Sequence, residues 1–169
     1  GAWFSLGVVC DKLGKTDRVI EAMEKVIALD PRHATALNYL GYTYADRNMR
    51  LPEGEKLILR ALEIRPDDGF FLDSLAWVHY RQGDYPRAEA ELRRALKMAP
   101  DDPVILEHLG DVLLAQGKAD AFIYDSLSVF RSQRRHPDTT RAILRPFREE
   151  TWAIGLRLGD DDLRRQVNA

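Results

Sequence analysis

Three prolines cut the chain into near-equal lengths. Pro31, Pro66 and Pro100 are separated by 35 and then 34 residues, and each follows a short apolar-and-charged segment: Ala28-Leu29-Asp30, Glu63-Ile64-Arg65 and Lys97-Met98-Ala99. A second marker runs with the same period. Leu6-Gly7, Leu40-Gly41, Leu75-Ala76 and Leu109-Gly110 are separated by 34, 35 and 34 residues. A third is the turn glycine, Gly14, Gly83 and Gly117. The second unit lacks it and reads Arg47-Asn48-Met49-Arg50-Leu51 with one residue inserted, which accounts for the spacing of 35. Self-similarity at this period is the signature of one supersecondary unit stacked in series, because a single unit cannot bury its own apolar stripe.

Each unit reads as two helices. Leu37, Leu40, Gly41 and Tyr44, then Leu57, Ile58, Ala61 and Leu62, fall at helical spacing. Asp102-Pro103 supplies an N-cap and a proline at the first helical position. Leu51-Pro52 and Tyr85-Pro86 set proline at helix starts, where its missing N–H costs nothing. The Pro-Asp-Asp turns after Glu63-Ile64-Arg65 and Lys97-Met98-Ala99 end one helix and cap the next. Gly41, Ala76 and Gly110 on the first helices, and Ala61, Ala88 and Ala95 on the second, are slim residues where two helices must cross closely.

These residues resemble the tetratricopeptide repeat, whose pattern is W-x2-L-G-x2-Y, then A-x3-F, a later alanine and a closing proline. The first unit matches through Trp3, Leu6, Gly7 and Pro31, and the second through Leu40, Gly41, Tyr44, Ala61 and Pro66. The third matches through Leu75, Gly83, Ala88, Ala95 and Pro100, and the fourth through Leu109, Gly110 and Gly117. Val19, Met23 and Val26 depart from the pattern in the first unit, Gly54 in the second, and Phe122, Ser126 and Val129 in the fourth. The resemblance implies an all-α, right-handed solenoid of about four helix-turn-helix repeats, at about 1–33, 34–68, 69–102 and 103–136. After Pro137 the pattern stops. Residues 137–169 read as a helical capping segment, with helices at about 138–145 and 147–158 and a short one through Val167.

In such a solenoid the first helix of each pair lines a concave surface. The side chains expected to line it are Asn38 and Tyr42, then Asp73, Trp77, Tyr80 and Arg81, then Glu107, His108 and Asp111, with Asp11 extending the line. Trp77, Tyr42 and Tyr80 offer flat amphipathic contact area, and Asp73, Glu107 and Asp111 make the lining acidic. The expected partner is therefore a protein or peptide carrying apolar and basic residues, held by a non-catalytic scaffold. Some members of the family clamp a peptide carboxylate with lysine, asparagine and arginine. The matching places here hold Phe4, Val8, Tyr39, Phe70 and Ser74, or one unit on, Asn38, Tyr42, Ser74, Val104 and His108, which form no such clamp.

Composition excludes several other classes. The chain has 169 residues, 45% of them hydrophobic and 31% charged, too apolar for a disordered segment. Its apolar runs are far short of a membrane span. One cysteine, Cys10, sits on an apolar helical face and reads as core. His33, His79, His108 and His136 have no second ligand at metal-binding spacing; His108 and Asp111 read as a surface pair, and His33 as a turn residue. No phosphate loop or nucleophile elbow occurs, so neither an enzyme nor a cofactor is expected. Residues 1–129 are mildly acidic, with 16 Lys+Arg against 21 Asp+Glu, while residues 130–169 carry nine arginines against six acids. That tail is too weakly basic to suggest nucleic-acid binding. The alternative to partner binding is self-association through the C-terminal helices. Resemblance to bacterial multi-repeat proteins points to the cell envelope, with the cytoplasm as the other location.

Overall fold

The computed structural model describes residues 1–118, 121–125, 140–143 and 152–157, which belong to two compact units, 1–105 and 106–169. Among the described residues there are seven helices and three strands. The helices are α1 (Ala2–Lys12), α2 (Thr16–Leu29), α3 (Ala34–Asp46), α4 (Leu51–Ile64), α5 (Gly69–Arg81), α6 (Tyr85–Met98) and α7 (Pro103–Ala115). The first six form three hairpins, α1–α2, α3–α4 and α5–α6. Successive hairpins stack with α2 on α3, α4 on α5, and α3 beside α5. The all-α repeat array expected from the period is what forms here.

Local chemistry fixes the boundaries. The Asp68 carboxylate accepts the amides of Phe70 and Phe71 at 3.1 and 3.2 Å, and Asp84 accepts that of Arg87 at 3.3 Å. Asp102 accepts from Val104 and Ile105 at 3.0 and 3.1 Å. Each satisfies donors that a helix start would otherwise leave bare. Pro52 and Pro86 lie in the first turns of α4 and α6. His33, expected to be a plain turn residue, caps α3: its Nδ1 accepts the Ala36 amide at 3.2 Å.

The turns need a left-handed residue. Gly14, Gly83 and Gly117 have φ of 67°, 81° and 68°. In the second unit Asn48 takes that place at 52°, and Arg50 follows at 46°, absorbing the inserted residue. Asparagine tolerates this region best among residues with a Cβ.

Hairpin closure depends on slim residues. A Cβ on Gly41 would lie 2.6 Å from Ile58 Cγ1 and 2.8 Å from the Gly54 carbonyl oxygen. A Cβ on Gly54 would lie 3.0 Å from the Gly41 carbonyl oxygen. Helices α3 and α4 thus cross backbone to backbone, which explains why glycine stands at 54 where the repeat pattern has alanine. The core between the first two units comprises Cys10, Val19, Met23, Val26, Ala36, Leu40 and Tyr44. Ala34, Leu37, Ala61 and Phe71 form the next.

The second unit departs from expectation. In place of a second helix for the fourth repeat, Ala121–Asp125 forms β1. In place of helices at 138–145 and 147–158 stand β2 (Thr140–Ile143) and β3 (Trp152–Arg157). They form an antiparallel sheet in the order β1-β3-β2, pairing Ala121 with Leu156, Asp125 with Trp152, and Thr140 with Arg157. One physical reason is visible in the sequence. Trp152, Ile154 and Leu156 alternate with a period of two, the spacing of a strand. The short helix expected through Val167 lies outside the described residues.

Gly41→Ala is expected to destabilise the chain by about 1–3 kcal/mol, because the added methyl meets a backbone oxygen that cannot swing away. Asn48→Gly should stabilise it by about 0.5–1 kcal/mol and Gly83→Ala destabilise it by about 1–2 kcal/mol, since the left-handed turn favours glycine. Urea titrations of the three variants check both signs.

Candidate functional site

Helix α3 lies beside α5 and is tied to α1 by side-chain contacts, and the repeat register sets Phe4 and Val8, Asn38 and Tyr42, and Asp73 and Trp77 at matching places. The stretch on α1 and α3 is partly open. Phe4, Val8, Asn38, Tyr39 and Tyr42 are half-buried, and Asp11 is exposed. Phe4 stacks on His33 at 5.5 Å and meets the Tyr39 ring edge-on at 6.0 Å. The Tyr39 hydroxyl donates to Asp11 Oδ2 at 2.8 Å, tying α3 to α1. Burial first, then this hydrogen bond and the Asp11 charge, raise the Tyr39 phenol well above its ordinary pKa. It stays a neutral donor throughout the physiological range.

The remaining expected lining is closed. Asp73, Trp77 and Tyr80 are buried on α5, as are Glu107, His108 and Asp111 on α7, and Arg81 is half-buried. Trp77 keeps 1% of its surface and stacks on Tyr80 at 4.8 Å; Tyr80 in turn meets Tyr85 at 5.5 Å. Asp73, Glu107, His108 and Asp111 each take part in a contact within the chain, as buried polar groups must. His108 and Asp111 are therefore not the surface pair that their spacing suggested. None of the nine expected residues is fully exposed. The accessible part of the lining is Asn38 and Tyr42, joined by Phe4, Val8, Tyr39 and Asp11.

Two further features were not visible from the spacing. His79 is buried, with Nε2 3.6 Å from Glu55 Oε1, while Gln82 Nε2 donates to Glu55 Oε2 at 2.9 Å. This polar tie joins α4 to α5 through residues too far apart in sequence to suggest each other. Between α2 and α4 lies an open cavity of about 510 Å³ with Ile27, Leu40 and Leu57 on its walls and Glu24, Glu53, Lys56 and Arg60 around it. Charges on the second helices look like a solvated face in one dimension, so the apolar floor between them goes unseen.

Comparison with known proteins agrees with this geometry. A family model described as tetratricopeptide repeat matches residues 4–69 and 74–138, more than half of the sequence. The chain belongs to the tetratricopeptide-repeat family. The second match runs over β1, where the repeat's usual second helix is replaced by a strand. A TPR repeat-containing protein of Pseudomonas aeruginosa is 44% identical over 86 residues, which is 51% of this chain and only 15% of that protein's length. Among solved structures, the first TPR domain of human RPAP3 aligns with a TM-score of 0.63 at 16% identity, over 69% of this chain and 91% of that one. An O-GlcNAc transferase from Thermobaculum terrenum aligns with a TM-score of 0.66 at 21% identity, over 79% of this chain and 25% of that one. At these identities the likeness establishes the fold. The first TPR of Spaghetti (RPAP3), with a TM-score of 0.63, is bound to an HSP90 peptide in its solved structure. Tetratricopeptide repeats are in general protein–protein interaction modules. Among the described residues, no helix is long and apolar enough to cross a membrane.

Tyr39→Phe should destabilise the chain by about 1 kcal/mol by removing the hydrogen bond to Asp11. Trp77→Ala should cost about 3–5 kcal/mol, the penalty of hollowing a packed interior rather than of trimming a surface. Chemical denaturation of both variants measures the contrast.

Proposed function

We propose that the chain is a non-catalytic scaffold that holds a peptide or protein partner on the α1–α3 strip of its repeat helices. The observation that carries this reading is the half-exposed set Phe4, Val8, Asn38, Tyr39 and Tyr42 beside exposed Asp11. Aromatic and amide groups on a rigid backbone give contact area at little entropic cost. Asp11 stands at the edge of this strip and accepts only one described hydrogen bond, from Tyr39, so its carboxylate retains acceptor capacity. The matching ligand chemistry is an apolar or aromatic side chain next to a lysine or arginine. An acidic C-terminal tail of the kind that a carboxylate clamp takes is disfavoured by the same carboxylate.

Selection of peptides from a random display library against the 169-residue chain tests this. The enriched sequences are expected to pair a basic residue with an apolar one and to bind more weakly as salt rises. Tyr42→Ala should weaken them by about tenfold and Asp11→Lys should reverse the preference for basic residues. Selected peptides that bind both variants as tightly as the parent chain would place recognition elsewhere.

A further inference from the structure

Helix α1 displays an apolar face that its repeat equivalents keep covered. Trp3, Leu6 and Val9 are 39%, 38% and 53% exposed. One repeat on, their counterparts Leu37, Leu40 and Thr43 are 0%, 2% and 6% exposed. One repeat further, Leu72, Leu75 and Val78 are 3%, 4% and 0% exposed. The difference has a visible source. α3 has α2 packed on it and α5 has α4 packed on it, whereas no described helix plays that part for α1. In the α2–α3 contact, Leu40 and Ala36 meet Val19, Met23 and Val26 in one cluster. The same translation carries Leu40 and Ala36 onto Leu6 and Ala2.

A terminal helix of a repeat array ordinarily carries a polar outer face. Here that face holds a tryptophan, a leucine and a valine, which suits a position inside an array. The geometry points to this face as the docking site for the second helix of a preceding tetratricopeptide hairpin in the same polypeptide, an interface continuous with α2–α3 and α4–α5. The relative from Pseudomonas has ample length for further repeats, since the matched segment is 15% of it. The surface is separate from the partner strip: Leu6 and Val8 point about 200° apart on a helix.

The test places a copy of residues 34–69 directly ahead of Gly1, which keeps the repeat register. The extended chain is expected to melt about 5 °C higher than the 169-residue chain, as an added neighbour interface should raise it. Acrylamide quenching of Trp3, isolated by difference from Trp3→Phe, should fall at least twofold. Leu6→Glu should shift the melting temperature of the unextended chain by less than about 2 °C, the exposed position having little to lose, yet abolish the gain in the extended chain. No gain together with unchanged quenching overturns the proposal. So does a dimeric unextended chain, by sedimentation, that Leu6→Glu makes monomeric, because a second copy would then be the occupant.

Discussion

The closeness of two helices within each hairpin governs everything else in the array. At Gly41 and Gly54 the α3 and α4 backbones meet with no room for a methyl group. In the first hairpin a Cβ on Gly7 would instead meet the Met23 and Ala22 side chains. In the third, Ala76 and Ala88 hold the matching places of the repeat register, and both are buried. What persists is a hairpin narrow enough for the next one to seat against it, which buries Ala36 and Leu40 over α2. Phe122, in the register of Ala88, lies in β1.

The repeats were legible because their period, caps and turn residues all repeat a local rule. Prolines, capping aspartates and slim crossing residues act within a few residues of where they stand, so spacing alone exposes them. Asn48 shows the limit of that rule. It fills the place of the turn glycine through its tolerance of positive φ, and the inserted residue is taken up by Arg50 two positions later. The strands are less legible for a different reason. Trp152, Ile154 and Leu156 alternate with the period of two seen in β3, while Pro137-Asp138-Thr139 and Pro146 read as helix boundaries, so the same stretch carries both patterns.

The candidate site was less legible, because burial is a property of three dimensions. Register assigns Asp73 and Trp77 to α5 and Glu107 and Asp111 to α7, the first helices of their repeats. Register carries no information about whether such residues are covered. In this chain they are, and their acidic groups are engaged in contacts within the chain instead of facing an open groove. The same holds for His79 and Glu55, which meet only because α4 packs on α5. Buried polar groups of this kind fix how neighbouring elements fit, since leaving them unsatisfied is costly.

Helix α1 then holds an unusual position, with a polar-aromatic edge at Phe4, Val8 and Asp11 and an apolar edge at Ala2, Leu6 and Val9. Helix α1 packs on α2 within its hairpin, and in a stacked array each neighbour contributes to a helix's stability. The strip proposed above for a partner draws half its residues from this helix. A hairpin docked on the Leu6 edge would stiffen Phe4 and Val8 without touching a ligand, and the ordering entropy that binding otherwise has to meet would fall. On that reading, stacking and recognition share one helix.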